Sequence, residues 1–168
     1  MTSKPVKILI TDDEPHIRRF LSYNVGQLGY ATDLAANGVE CLEKLGTDTF
    51  GALLLDIRMP EASGLDVLEK VQRISPHLPV IMITADHNID TAVQAIKSGA
   101  FDYLTKPVDF DRLQIVLRNA LKQNQLVQEV GELSGQLKRR ELFGNIIGQS
   151  AAMQQVFQQV EKILGTNL

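Results

Sequence analysis

Short apolar runs alternate with longer amphipathic stretches through the first hundred residues of the chain. This alternation indicates repeated strand-helix units, and therefore a parallel sheet covered by helices. The runs at 6–10, 52–55 and 80–83 are almost continuously apolar, as expected when helices cover both faces of a sheet. The run at 30–35 is polar enough to be an edge strand, and a fifth run lies at 101–104. The pattern predicts an α/β fold with five parallel strands.

The stretches between these runs carry apolar residues at helical spacing. Gly29, Gly46 and Gly99 follow three of the stretches, where a residue in the left-handed conformation would end a helix. A fifth helix is expected to start near Asp109.

Composition narrows the class of protein. The chain has 168 residues, enough for one domain and a tail, and its hydrophobic content of 44% is ordinary for a globular protein. A net charge of -3 provides no uniform basic field for nucleic acid or an anionic membrane. The single Cys41 can form no disulfide within the chain and is expected to be a small buried side chain. No run is long enough for a signal peptide or a membrane span, so we expect a cytoplasmic protein.

The composition changes near residue 122, where strand-like runs end and nine of the thirteen Gln residues follow. We therefore expect the first domain to occupy residues 1–125. Leu126, Val130, Leu133 and Leu137 follow 4-3-4 spacing, so the fifth helix is expected to continue as a helical or coiled-coil linker over 126–142. Gly131 and Gly135 weaken such a helix, which leaves a frayed tether as the alternative.

Polar side chains follow the predicted strands. Ligands of an open parallel sheet bind beyond the carboxyl ends of the strands. At those positions the sequence has Asp12 and Asp13 after the first strand, Asp56 after the third, Thr84 after the fourth and Lys106 after the fifth. Each of these residues alone has an ordinary structural explanation, such as a helix cap or a turn. Their combination at one edge indicates a site.

Three carboxylates at one edge require a positive partner. Each like-charged pair about 4 Å apart costs on the order of 4 kcal/mol at an effective dielectric of about 20. Carboxylate oxygens suit Mg²⁺, which leaves coordination positions open for phosphate oxygens. A carboxylate nucleophile, a divalent ion, a Lys and a Thr hydroxyl are the parts needed to hold a phosphoryl group.

The segments ILITDDEP, LLLDIRMPEASGLDVL, VIMITA and AFDYLTKP resemble the receiver domain of bacterial two-component response regulators, over about residues 4–125. The resemblance implies a flavodoxin-like, doubly wound sheet with strand order 2-1-3-4-5. It implies that Asp56 accepts phosphate from a histidine kinase and that Mg²⁺ is the cofactor. It further implies direct metal binding by Asp13, Asp56 and the backbone carbonyl of Arg58, and metal binding through water by Asp12. It also implies phosphoryl contacts by Thr84 and Lys106, and an inward turn of Tyr103 when Thr84 moves.

The resemblance also implies a cis peptide bond before Pro107. Arg58 and Asp86, two residues after Asp56 and Thr84, are expected to tune the lifetime of the phosphate.

The segment IIGQSAAMQQV resembles the start of the AAA+ ATPase domain of sigma-54-dependent activators of the NtrC type. Residues 143–168 would then be the truncated edge of that domain, although an ordinary amphipathic helix explains their spacing equally well. No Walker A motif occurs, so no ATPase activity is expected of this chain. Sigma-54 RNA polymerase and DNA are expected to be bound by other parts of such an activator.

These expectations describe a phosphorylation-controlled switch that turns over no external substrate. Its partners would be a sensor histidine kinase and a second copy of the chain, the latter through helix 4, strand 5 and helix 5, through the linker helix, or through both. The alternatives are a receiver-like scaffold that takes no phosphate and a haloacid-dehalogenase-like phosphatase. The phosphatase family needs a second Asp at the position of Arg58. A flavin-binding protein is disfavoured because acidic residues follow the first strand.

Overall fold

The computed structural model describes residues 3–149 together with residues 155 and 159. Five parallel strands form a sheet in the order β2-β1-β3-β4-β5, which confirms the predicted flavodoxin-like topology. The strands are β1 (Lys7–Thr11), β2 (Ala31–Ala35), β3 (Ala52–Asp56), β4 (Val80–Thr84) and β5 (Asp102–Thr105). The helices are α1 (Pro15–Gln27), α2 (Gly38–Thr47), α3 (Gly64–Ile74), α4 (Ile89–Lys97) and α5 (Phe110–Gln149).

The sheet separates two hydrophobic clusters. Alternate side chains of a strand point to opposite faces, so Leu53 and Leu55 of β3 lie in one cluster while Leu54 lies in the other. All residues of β3 and β4 are buried, whereas β2 at the edge is only partly buried. The core explains the continuous apolar runs, and Cys41 is buried in it as expected.

Strands β1, β3, β4 and β5 each end one residue beyond their apolar runs, and in β3 and β4 that residue is a candidate site residue. Asp56 pairs with Ile83 in the ladder between β3 and β4, and Thr84 pairs with Thr105 in the ladder between β4 and β5. These polar residues are therefore fixed by the sheet rather than by the loops that follow.

Two of the three glycines that were predicted to end helices do so. Gly29 and Gly99 have positive φ angles of 89° and 99° and follow helices, as predicted. The prediction for Gly46 was wrong, because α2 continues through it and ends at Thr47, with the N–H of Asp48 donating to the carbonyl of Lys44.

Helix α5 continues through Gly131 and Gly135 as far as Gln149, so residues 126–142 are helical, and their role as a linker stays a prediction. The chain divides into two compact units, residues 1–125 and 126–168. In the second unit Leu126, Val130, Leu133 and Leu137 are all more than half exposed. The assignment of 143–168 to an AAA+ edge stays a prediction, since the side chains of 143–150 and most residues after them lie outside the described part. Among the described residues, no helix combines the length and hydropathy needed to cross a membrane.

Candidate functional site

Three carboxylates meet at the carboxyl edge of the sheet, as predicted. Asp56 is the last residue of β3, and Asp12 and Asp13 directly follow β1. One carboxylate oxygen of each lies within 4.8 Å of the others. Asp12 is fully buried, Asp56 is 3% exposed and Asp13 is partly exposed. The adjacent positions of β1 and β3 in the sheet bring these residues together.

Backbone groups hold the two buried carboxylates. The N–H of Glu14 donates to Asp12 Oδ1 at 2.9 Å, and the N–H of Arg58 donates to Asp56 Oδ1 at 3.2 Å. The Arg18 guanidinium also donates to the carbonyl of Asp12 at 2.7 Å. The two backbone N–H groups orient the carboxylates and leave the Oδ2 atom of each to the Lys106 ammonium.

Gly64 allows the loop after Asp56 to return close to β3. A Cβ at this position would lie 2.1 Å from the backbone oxygen of Asp56. The N–H of Gly64 donates to the carbonyl of Ile57 at 2.7 Å, and α3 starts at the same residue. No larger residue fits without moving the backbone that carries Asp56.

Lys106 lies among the carboxylates. Its Nζ is 2.8 Å from Asp12 Oδ2, 3.2 Å from Asp56 Oδ2 and 3.4 Å from Glu14 Oε1. The peptide bond between Lys106 and Pro107 is cis, as the resemblance implied. At these three distances, the Lys106 ammonium neutralises part of the negative charge of the carboxylates. The partnership with Glu14 was not predicted, although Glu14 stands next to the two site aspartates in the sequence.

The electrostatics of Asp56 follow from this environment. Burial, followed by the negative charge of Asp12, raises the pKa of Asp56 to about 6, against the opposing effect of Lys106. Burial lowers the pKa of Lys106, but hydrogen bonds and charge interactions with Asp12 and Asp56 outweigh it, and the pKa is raised overall. Lys106 is thus positively charged at neutral pH. Any further positive charge near Asp56 would stabilise its ionised form.

Thr84 is buried at the end of β4. Its Oγ1 accepts a hydrogen bond from the N–H of Asp86 at 2.9 Å, which leaves the hydroxyl proton free for an acceptor. Asp86 Oδ2 in turn pairs with the Arg58 guanidinium at 3.2 Å, and its Oδ1 accepts from the N–H of Asn88 at 3.0 Å. The sequence singled out Arg58 and Asp86 separately, but their pairing depends on how two loops meet and was not predicted.

Tyr103 lies on β5 and packs against the core cluster that contains Leu53 and Leu55. The Arg112 guanidinium is 5.7 Å from the centre of the Tyr103 ring, a distance typical of a cation–π contact. A conformational role of Tyr103 stays a prediction.

The donor set fits a hard divalent cation. Asp12, Asp13 and Asp56 each offer a carboxylate oxygen, the ligand type that Mg²⁺ prefers. Four carboxylates, counting Glu14, face the single charge of Lys106, so the site keeps an excess of negative charge. Arg58 forms hydrogen bonds through its backbone N–H and its guanidinium, and metal ligation by its carbonyl stays a prediction.

The model of the response regulator receiver domain matches residues 8–118. The chain belongs to the receiver domain family. It is 47% identical over 116 residues to the response regulator protein PilR of Pseudomonas aeruginosa, an alignment that covers 69% of this chain and 26% of PilR. It is 36% identical over 158 residues to the DNA-binding transcriptional regulator NtrC of Escherichia coli, covering 93% of this chain and 32% of NtrC.

A solved receiver domain from Clostridium thermocellum has a similar structure. It superposes with a TM-score of 0.69 at 33% identity, covering 73% of this receiver chain and 98% of the solved chain. The relatives are thus NtrC-type regulators in which the matched region is about a quarter to a third of the length. The family assignment leaves no support for the phosphatase and flavin alternatives.

Proposed function

We propose that Asp56 accepts a phosphoryl group from the phosphohistidine of a sensor kinase, with Mg²⁺ bound by Asp12, Asp13 and Asp56. The supporting observation is the buried Asp56 carboxylate, held at the end of β3 among further carboxylates, Lys106 and Thr84. The backbone N–H of Arg58 holds Asp56 Oδ1, and Oδ2 lies beside the Lys106 ammonium, so Oδ2 is the oxygen we assign to nucleophilic attack. Membership of the receiver family supports the same conclusion.

In the transfer, an oxygen of Asp56 forms a bond to phosphorus as the bond from phosphorus to the kinase imidazole nitrogen breaks. The bonding electron pair remains on that nitrogen, and an acyl phosphate forms on Asp56. Asp12, Asp13 and Asp56 would hold Mg²⁺, whose positive charge would disperse the negative charge of the phosphoryl oxygens. No general base is needed, because an ionised Asp56 carries no proton to remove.

Lys106 and Thr84 have complementary roles in this proposal. Lys106 already contacts Asp56 Oδ2, so it is within reach of a phosphoryl group attached there. Thr84 Oγ1 already accepts a hydrogen bond from the Asp86 N–H, so its own proton can be donated to a second phosphoryl oxygen. Arrival of the phosphoryl group would thus redistribute the contacts of both residues.

The output of the switch is proposed to pass through α5. This helix continues from the first unit into the segment that exposes Leu126, Val130, Leu133 and Leu137. A stripe with this spacing fits a two-stranded coiled coil with a second copy of the chain. Phosphorylation would then change dimerisation through the linker, or through α4, β5 and α5, and so control an attached AAA+ ATPase that acts on sigma-54 RNA polymerase at DNA.

Incubation with acetyl phosphate and Mg²⁺, followed by mass spectrometry of the intact chain, tests the phosphoacceptor role. We expect the mass of one phosphoryl group to be gained by the wild-type chain and not by Asp56→Asn, and the gain to require Mg²⁺. Asp66→Asn, which removes an exposed carboxylate at the start of α3, is the matched control and should gain the same mass as wild type. No gain by the wild type, or an equal gain by Asp56→Asn, would contradict the proposal and favour a scaffold.

Sedimentation of the chain with and without beryllofluoride and Mg²⁺ tests the output. A change in association state or dimer shape is expected. An unchanged dimer would remove the linker mechanism and leave the phosphoacceptor role standing.

A further inference from the structure

Asn124 is a buried polar residue on the part of α5 that belongs to the first unit. It is 7% exposed, whereas its neighbour Gln123 is exposed. Asn is an unfavourable residue in the interior of a helix, and a buried amide without a partner costs free energy. A specific contact is therefore needed to explain Asn124 at this position.

That contact is a hydrogen bond to the chain just before β3. Asn124 Nδ2 donates to the carbonyl of Gly51 at 2.9 Å. Gly51 directly precedes Ala52, the first residue of β3, and its own N–H donates to the carbonyl of Lys7 on β1 at 2.8 Å. Asn124 is thus joined to the amino ends of the two strands whose carboxyl ends lead to the site aspartates.

The packing around Gly51 leaves no space for a side chain. A Cβ at this position would lie 2.4 Å from Val6 Cγ1 and 2.7 Å from Leu121 Cδ2. Leu121, one turn before Asn124 on α5, also packs against the core cluster that contains Leu54. The last turn of α5 within the first unit is therefore held by close packing and by a hydrogen bond at the same place.

We infer that the Asn124–Gly51 hydrogen bond is an anchor that fixes α5 to the base of β3, and that phosphorylation at Asp56 reaches the linker only while this anchor holds. The coupling part rests on the proposed function, since it presupposes phosphorylation at Asp56 and a response of the linker. Asn124 is a positioning residue, because it lies at the amino edge of the sheet and contacts none of the site residues. A helix that frays at this turn cannot transmit a displacement to residues 126–149.

Asn124→Asp removes the donor with almost no change of shape and places an oxygen against the Gly51 carbonyl. Gln123→Glu, the same chemical change at the exposed neighbouring position, is the matched control. We expect Asn124→Asp to speed hydrogen exchange of the amides at residues 121–130 about tenfold or more, because an unpaired buried group favours local opening. Gln123→Glu should leave these rates within about twofold of wild type.

The coupling is tested by comparing phosphoryl uptake with the response of the linker. Asn124→Asp should gain the same mass from acetyl phosphate as wild type but lose the change in association that beryllofluoride and Mg²⁺ produce. Val25→Ala, which shortens a buried side chain of α1, controls for lost stability and should keep the response.

Three outcomes are decisive. Wild-type exchange rates in Asn124→Asp would overturn the anchor, and a wild-type response in that variant would overturn the coupling. If the wild-type chain takes up no phosphate, the proposed function and the coupling fail together, and the exchange rates still decide whether the anchor exists.

Discussion

The two ends of β3 are built in opposite ways. At the carboxyl end, the buried carboxylates of Asp56 and Asp12 share one ammonium and retain excess negative charge. At the amino end, Gly51 accepts a neutral hydrogen bond from Asn124 in a closely packed environment. The first arrangement carries unbalanced negative charge and could hold a metal ion, whereas the second is a satisfied hydrogen bond in close packing. Under the proposed function, the carboxyl end of β3 would change partners on phosphorylation while the amino end would keep its position.

The largest expected effect is on the free energy of unfolding, when the glycines packed against the two ends of β3 are replaced. Gly64 lies against backbone atoms and Gly51 against side chains, so the two substitutions compare these two kinds of packing. Gly64→Ala places its Cβ against the backbone of Asp56 and should lower the free energy of unfolding by about 3 kcal/mol or more. Gly51→Ala meets only side-chain ends and should cost about 1–2 kcal/mol. Urea denaturation measures both, with Gly46→Ala on α2, where no atom lies within 4 Å of the added Cβ, as the control. Equal costs at Gly64 and Gly51 would contradict the distinction.

Neutralising Asp56 should stabilise the fold. Burial and the charge of Asp12 raise the pKa of Asp56 to about 6, so its ionised form is less favourable in the folded than in the unfolded chain. Asp56→Asn should therefore raise the free energy of unfolding by about 2 kcal/mol at neutral pH in buffer without divalent ions. Adding Mg²⁺ should reduce this advantage by stabilising the wild type. Destabilisation by Asp56→Asn would show that the carboxyl edge is not strained by its charge.

The pH dependence of stability tests whether the Cys41 thiol is shielded from solvent in the core. Burial raises the pKa of its thiol to about 11 from 9.0, and the folded chain therefore favours the protonated thiol. The resulting stabilisation is complete below pH 9 and is lost as the pH rises towards 11. Between pH 8 and pH 10, wild type should lose about 1 kcal/mol more stability than Cys41→Ala. Parallel pH profiles of the two proteins would show instead that the thiol is not shielded.

The smallest expected effect lies in the loop after Asp56. Glu61 has a φ angle of 73°, a left-handed conformation that is unfavourable for residues other than glycine. Glu61→Gly should raise the free energy of unfolding by about 0.5 kcal/mol, as relief of strain exceeds the entropy cost of glycine. Glu43→Gly, within α2, should instead lower it by about 1 kcal/mol. A loss of stability in Glu61→Gly would show that this loop is unstrained.

The sequence predicted the sheet because the helix-covered strands must be apolar, and it predicted the site because ligands of such sheets bind at the carboxyl edge. It placed the ends of β1, β3, β4 and β5 one residue early, because the first polar residue was taken as the end of each strand. Asp56 and Thr84 are polar and still pair within the sheet. Apolar spacing therefore locates a strand better than it locates the functional residue at its end.

Two side-chain contacts between distant parts of the chain could not be predicted. The pairing of Arg58 with Asp86 and the bond between Asn124 and Gly51 join residues 28 and 73 positions apart. Neither pair forms a periodic pattern, and each polar residue alone is compatible with a solvated surface. A buried Asn in a helix becomes informative only when the fold shows what it contacts.

The most direct test of the central claim is to trap the acyl phosphate and locate it. After incubation with acetyl phosphate and Mg²⁺, borohydride reduction converts a phosphorylated aspartate into homoserine, which peptide mass spectrometry identifies. We predict a single conversion, at Asp56. Conversion at Asp12 or Asp13, or no conversion in a chain shown to be folded, would contradict the account.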